Sequence, residues 1–271
     1  EAFTRAPQRL PPALPSQYFS TLPLDAAQWS ALARSASWQS MRMNLNTFAR
    51  NGVFDDASMV ELIAARLRDP QQVRRSRVLP YQLLMAFHAG KGLPLPILDA
   101  LQDAMEIATA SVPVLPGRVV VAVDVSGSMQ WPLTGYRKGA STSVRCVDVA
   151  ALIAACVLRG QPQATVLPFD TQVRPVRLNP RDSVMTLAAQ LAINGGGTSV
   201  SAPLEDLNRR RAPVDLVVLV SDNESWRDTR QGGATATMRA WEVLRQRCPQ
   251  ARLVCIGLQP VASSQTVQRE K

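Results

Sequence analysis

The chain has 271 residues, 46% of them apolar and 19% charged, which suits two domains that each bury a core. No apolar run approaches the eighteen or so residues of a membrane span, and no CxxC pair suggests a zinc ribbon. The formal net charge of +9 favours nucleic acid as a partner only modestly, since a genome-wide compositional bias toward arginine would give the same balance.

The start is Pro-rich (Pro7, Pro11, Pro12, Pro15) and lacks a signal-peptide pattern. Cys156 falls in an apolar helical run and Cys255 in a strand-like one, as expected of buried thiols in a reducing compartment, so a cytoplasmic location is expected. Helical signals then follow one another. Asp25 suits an N-cap ahead of Trp29, Leu32 and Ala33. Ser37 or Ser40 opens a second helix with Met41, Leu45 and Phe48 on one face and Gly52 as its stop. Asp55 or Asp56 caps a third, carrying Met59, Leu62, Ile63 and Leu67 and ending at Asp69-Pro70. Short segments from Val73 to Arg77 and from Pro80 to His88 precede a Gly90-Lys91-Gly92 turn. A last helix with Ile97, Leu98, Leu101, Met105 and Ile107 leads to the Pro113–Gly117 linker. Amphipathic helices of this length suggest stacked, HEAT-like α-helical repeats over residues 1–112, although no clean sequence period is visible.

From Arg118 the pattern becomes strand and helix in alternation. Val119–Val123 is a continuous β-prone run, suited to a strand buried on both faces of a parallel sheet. A helix is expected from about Thr142 to Arg159, then a strand pair, 164–169 and 173–178, turning near Asp170-Thr171. Helices near 182–191 and 203–210, a strand at 215–221, a helix at 234–247 and a strand at 252–256 complete the order. The fold class is α/β, with a doubly wound, mostly parallel sheet over 113–271.

The chemistry sits at the ends of these strands. Asp124-Val-Ser126-Gly-Ser128 follows the first strand, and open α/β sheets place ligands at that edge. Gly195-Gly196-Gly197-Thr198 supplies a loop that lets backbone approach closely, and Asp222 closes the apolar run from Asp215 ahead of Asn223 and Glu224. Asp124, Ser126, Ser128, Thr198 and Asp222 form an oxygen-only donor set of the kind that takes Mg²⁺ or another hard divalent cation. The plainer alternative is strand-end turn chemistry, where Asp, Ser and Gly are common. No P-loop is present, because no Lys follows the Gly-rich stretch. His88, the single histidine, has no Ser–His–Asp or Cys–His partners, so no catalytic set emerges and an enzyme is not expected.

The five oxygen positions resemble the metal-ion-dependent adhesion site (MIDAS) of von Willebrand factor A (vWA) domains. Together with the segments Ser40–Arg50 and Val73–Leu84, which look like distal helices of the TROVE module, they make the chain resemble the Ro (SS-A) autoantigen family. The resemblance implies a non-enzymatic RNA-binding ribonucleoprotein component. Its partners would be Y-like noncoding RNA, the 3′ ends of structured or misfolded RNA, and an exoribonuclease, in RNA quality control or degradation. It also implies Mg²⁺ held by Ser126, Ser128 and Thr198, with Asp124 and Asp222 ligating directly or through water. One coordination position would stay open to an acidic group from a protein partner. The helices are too few to close the family's ring, the first residue is not Met, and the chain stops before the family's final strand and helix, so either a fragment or completion by another chain is expected. The competing reading is a vWA partner protein of a MoxR-like ATPase.

The charge is uneven: 11 basic against 9 acidic residues over 1–112, and 19 against 12 over 113–271. Nearly all the cations are arginines, whose planar fork matches phosphate oxygens. Arg66, Arg68, Arg74, Arg75 and Arg77 form the densest cluster in the first part. They read as phosphate contacts or, equally, as a solvated helix face with Asp69 nearby. Arg209-Arg210-Arg211 falls at a helix C-terminus, where cations offset the dipole. Tyr81 and Phe87 sit at helical spacing beside Leu83 and Leu84 and are expected in the core rather than stacked on bases.

Overall fold

The structure, a computed structural model, describes residues 23–133, 143–222 and 235–259. The Pro-rich start, Asn223 and Glu224, and the segment after Gln259 lie outside the described residues. The chain divides into two compact units, Glu1–Ser111 and Val112–Lys271.

The first unit is helical. Its described helices are α1 (Ala26–Ser35), α2 (Trp38–Met43), α3 (Leu45–Arg50), α4 (Ala57–Leu67), α5 (Pro70–Ser76), α6 (Pro80–Ala89) and α7 (Leu95–Thr109). Asp25 closes a capping box with Gln28 at the start of α1, each side chain accepting the other's backbone N–H. Of the two candidates for each cap, Ser37 caps α2 and Asp56 caps α4. The single helix expected through Met41, Leu45 and Phe48 is broken at Asn44. There the Asn44 amide donates to the Ser40 carbonyl at 2.7 Å, and ψ opens to 9°. Asp69 does not simply stop α4. It becomes the N-cap of α5, accepting from the Gln71 and Gln72 amides, with Pro70 at the first helical position, so α5 begins three residues before the expected Val73. Met41, Ile63, Leu67, Leu83, Ile97, Leu101 and Met105 are sealed from solvent and form the core against which α4, α6 and α7 pack.

The second unit carries a four-stranded parallel sheet, in the order β2-β1-β3-β4. Its elements are β1 (Val119–Asp124), α8 (Cys146–Gly160), β2 (Thr165–Phe169), α9 (Val184–Leu191), α10 (Ala202–Arg209), β3 (Leu216–Ser221), α11 (Ala236–Arg247) and β4 (Arg252–Gly257). Every residue of β1 is buried, as expected of a central parallel strand. Val120, Leu167 and Val217 face the layer formed by α10 and α11. Side-chain alternation turns Val119, Val121 and Val123 to the other face, where α8 lies. From Cys146 to Leu158 every α8 residue but Ile153 is buried, because α9 covers the side turned away from the sheet.

The strand expected over 173–178 does not form. Val173 makes one isolated antiparallel bridge to Phe169, and the chain then leaves the sheet. Pro175 has no N–H to give a ladder, and the Asp170 side chain draws Arg174 into a turn. Replacing the fully buried Leu101 by Ala should lower the stability of the helical unit by about 2–5 kcal/mol. The same change at Leu95, 68% exposed, should stay within about 0.5 kcal/mol. Urea unfolding followed by helical circular dichroism measures both.

Candidate functional site

β1 sits between β2 and β3 in level register, with Val123 opposite Pro168 on one side and Val220 on the other. Successive strands leave β1 in opposite directions, β2 to one side and β3 to the other. The C-terminal ends of β1 and β3 therefore flank the switch point of the sheet, where α/β folds bind ligands. Asp124 ends β1 and Asp222 follows β3 there. Both carboxylates are sealed, at 0% and 2% exposure, and Ser126 and Thr198 are equally buried. Ser126 donates its backbone N–H to Asp124 Oδ1 at 2.9 Å, which folds the loop back over the strand end. This brings the Ser126 and Ser128 hydroxyls within 3.3 Å of each other.

The Gly-rich loop is fastened to the same rim from a distance in sequence. Gly195 N–H donates to the Val125 carbonyl at 2.7 Å, and Gly127 N–H donates to the Gly196 carbonyl at 2.8 Å. A Cβ on Gly195 would stand 2.5 Å from the Val125 oxygen, so only glycine permits this approach. Thr198 follows directly. The structure thus gathers the loops bearing all five predicted oxygen residues, Asp124, Ser126, Ser128, Thr198 and Asp222, at one rim.

Two further residues organise the rim. Ser221, level with Asp124 across the sheet, donates its hydroxyl to Asp124 Oδ2 at 2.6 Å. Asp170, directly after β2, accepts Gly196 N–H at 3.1 Å and the Arg174 guanidinium at 2.5 and 3.0 Å, while its own carbonyl accepts Ser199 N–H. Counting back from the strand ends would have found both, because each follows or ends an apolar run as Asp124 does.

The electrostatics of the two rim carboxylates diverge. Burial pushes Asp124 up to about 6; the hydrogen bonds from Ser126 and Ser221 hold it down and the neighbouring Asp222 charge raises it further. Its hydrogen-bond donors among the described residues are neutral. Asp170 is also pushed up by burial, but Arg174 and the Gly196 N–H outweigh that and leave it below the ordinary carboxylate range. A buried carboxylate beside a second one, with hydroxyls converging and no cationic side chain on it among the described residues, is a donor set that a divalent cation would complete.

The predicted arginine cluster separates into two kinds. Arg66 is turned inward: its guanidinium donates to the carbonyls of Ala33, Arg34 and Ala36 at 3.0, 3.0 and 2.5 Å, closing the C-terminus of α1. Arg68 pairs with Asp103 at 3.4 Å and donates to the Pro96 carbonyl. These two serve the fold, and phosphate contact is not needed to explain them. Arg74, Arg75 and Arg77 are exposed, and no described residue pairs with their guanidinium groups. Asp69, the expected neighbour, is occupied as the α5 N-cap. Arg77 adopts φ 52°, a left-handed conformation costly for a residue with a Cβ. Tyr81, expected in the core, is instead 40% exposed at the start of α6, while Phe87 is half-buried against the His88 ring.

Residues 118–269 match the family model described as the Ro60 vWA domain. Among curated proteins, the chain is 30% identical over 229 residues to the RNA-binding protein RO60 of Deinococcus radiodurans. That alignment covers 79% of this chain and 42% of the relative. It is 26% identical over 191 residues to the RNA-binding protein RO60 of Caenorhabditis elegans, covering 63% of this chain and 28% of that protein. The crystal structure of the Deinococcus radiodurans Ro (RSR) protein aligns with a TM-score of 0.74 at 27% identity, over 94% of this chain and 53% of that one. The chain spans about half or less of the length of these relatives.

The raised pKa of Asp124 carries a stability signature. Its folded value of about 6 lies above that of an unfolded Asp, so its contribution to stability is fully present below about pH 4 and is lost as pH rises through 6. In chelator-treated protein that loss should be roughly 3 kcal/mol. Asp124→Asn should flatten this part of the pH profile, as read from urea midpoints between pH 4 and 7.5.

Proposed function

The chain belongs to the Ro60 vWA domain family, and from that membership we propose that it is a non-enzymatic RNA-binding protein of Ro type. The observation that carries the reading is the set Arg74, Arg75 and Arg77: exposed guanidinium groups that the fold does not use, on a chain whose relatives are named for RNA binding. Arginine forks match phosphate oxygens, and three of them along one short helix end supply affinity without base specificity. Tyr81, exposed at the start of α6, adds an aromatic face on which an unpaired base can stack. The RNA class is Y-like noncoding RNA and the 3′ ends of structured or misfolded RNA, in RNA quality control or degradation alongside an exoribonuclease. Four free thiols suit a cytoplasmic setting.

The rim of the second unit is read as a MIDAS-type cation site. Ser126, Ser128 and Thr198 would hold Mg²⁺ with Asp124 and Asp222, direct or through water, and leave a position for an acidic group from a protein partner. The bound cation would supply positive charge that offsets two buried carboxylates. The chain's own part is to fix the donors: Ser221 and the Ser126 amide orient Asp124, and Asp170 with Arg174 holds the glycine loop in place.

Fluorescence anisotropy with a 3′-tailed hairpin RNA over a salt series tests the RNA reading. Removing three charges by Arg74→Gln, Arg75→Gln and Arg77→Gly should weaken binding and flatten the salt slope by about 2. Salt-independent affinity, or none, would overturn the reading. For the cation, Mg²⁺ should raise the melting temperature at pH 7.5 and do so less at pH 5, where a proton competes for Asp124. Ser126→Ala together with Thr198→Ala should abolish the shift; a shift that persists in that variant refutes the site.

A further inference from the structure

In a parallel α/β unit the strands all start at one edge and the helices that return to them end there. Arg118 directly precedes β1 and Arg252 opens β4; Arg209 ends α10 with Arg210 and Arg211 just past it; Arg245 and Arg247 lie in the last turn of α11. All seven are exposed and gather at the sheet edge opposite the Asp124 rim. Hydrogen bonds fix the gathering. Asp215 N–H donates to the Arg118 carbonyl and Arg252 N–H to the Asp215 carbonyl, aligning the two strand starts in one row. Arg247 donates to the carbonyls of Ala212 and Leu207 and to the Asn208 side chain, tying the end of α11 to the end of α10. Arg118 and Arg247 share the wall of an open cleft of about 320 Å³, floored by 248–251.

Part of this charge serves the fold. Arg118 forms a two-pronged pair with Asp215, and Arg209 and Arg210 both reach Asp206. Three arginines are left over. Arg211, Arg245 and Arg252 have no hydrogen bond or ion pair from their side chains to any described residue, and Arg247 meets only neutral oxygens. Two other carboxylates lie a turn back along these helices, Glu205 on α10 and Glu242 on α11, and neither forms an ion pair with a described residue. Helix-dipole compensation accounts for cations in the last turn of a helix, but it falls off within that turn and does not reach Arg252 at a strand start.

The backbone adds an independent sign. Among the described residues two non-glycines have positive φ, Arg77 at 52° and Arg211 at 50°. Each stands just past the end of a short helix, where glycine is the usual residue and any Cβ is penalised. At Arg211 the turn is closed by Ala212 N–H to the Leu207 carbonyl, the bond pattern that selects glycine. Keeping arginine there forgoes stability for an exposed, unpaired guanidinium. The same choice appears at Arg77, within the cluster already read as an RNA contact.

We propose that the strand-start edge of the vWA unit, centred on Arg211, Arg245, Arg247 and Arg252, is a second RNA-binding face that engages the phosphate backbone. This rests on the Ro-type RNA reading and adds to it a surface on the vWA unit itself, separate from the cation rim. Exposed guanidinium groups along this edge suit phosphate oxygens, which they would contact without reading bases.

The test uses the full chain and a labelled single-stranded RNA of about 20 nucleotides, with anisotropy read across a salt series. The triple variant Arg211→Gly, Arg245→Gln, Arg252→Gln should lose about tenfold or more in affinity near 100 mM salt and flatten the salt slope by about 2. Its urea midpoint should not fall, since glycine relieves the left-handed turn. The Lys version of the same triple should keep the slope. Ultraviolet crosslinks should map to peptides covering 209–212 and 245–252. If the wild type binds RNA while the triple keeps wild-type affinity and slope, this face is refuted and the Ro-type reading stands. If the wild type shows no salt-dependent RNA affinity, that reading fails first. Loss of polyglutamate binding in the triple with RNA binding intact would assign the edge to an acidic protein and likewise overturn the proposal.

Discussion

Val123 in β1 stands level with Pro168 in β2 and Val220 in β3, and this three-strand register is what the second unit depends on. Because the strands are parallel and in step, the residues that follow them emerge together. Asp124, Asp170 and Asp222 are far apart in sequence yet reach one rim for the same reason. A slip of one residue in any pairing would exchange the two buried faces of a strand and carry Asp124 out of step with Ser221, so the close-packed core on both faces enforces the polar geometry. The apolar strand and the oxygen cluster are one constraint seen from two ends.

The rim also shows how a protein handles a buried carboxylate in two ways. Asp170 receives a guanidinium and a backbone N–H and is held below the ordinary range, so it acts as a permanent anchor for the glycine loop. Among the described residues Asp124 receives only neutral donors; it neighbours a second carboxylate and is driven upward by burial. The first arrangement is complete as it stands. The second sets two buried carboxylates side by side with only neutral donors on Asp124 among the described residues, which is the physical content of reading it as a candidate cation site.

Parallel topology sorts charge as well as donors. Helix C-termini and strand N-termini share the far edge of the sheet, so arginines scattered from Arg118 to Arg252 become neighbours there. Several are spent on Asp206, Asp215 and the carbonyls that end α10. The remainder, with a strained Arg211 among them, exceed what the fold requires. In the helical unit the same division separates Arg66 and Arg68, which secure chain ends and neighbours, from Arg74, Arg75 and Arg77, which do not.

The sequence alone determined the features that depend on near neighbours. Alternation of buried strands and amphipathic helices, the cap at Asp25, and the carboxylates closing β1 and β3 were all legible, because each is a local pattern of side-chain type and spacing. Residue type could not say how far a pattern runs: Asn44 broke one helix through its own side-chain hydrogen bond, and Pro175 with the Asp170–Arg174 pair dissolved a strand. Nor could it tell the structural arginines from the free ones, since Arg66 and Arg74 differ only in which carbonyls lie within reach. Those partners come from segments far off in sequence: about thirty residues for Arg66, 26 for Asp170 and the glycine loop, and 97 for Ser221 and Asp124. Only the folded chain brings them together, because hydrogen bonding at 3 Å is decided by distance in space.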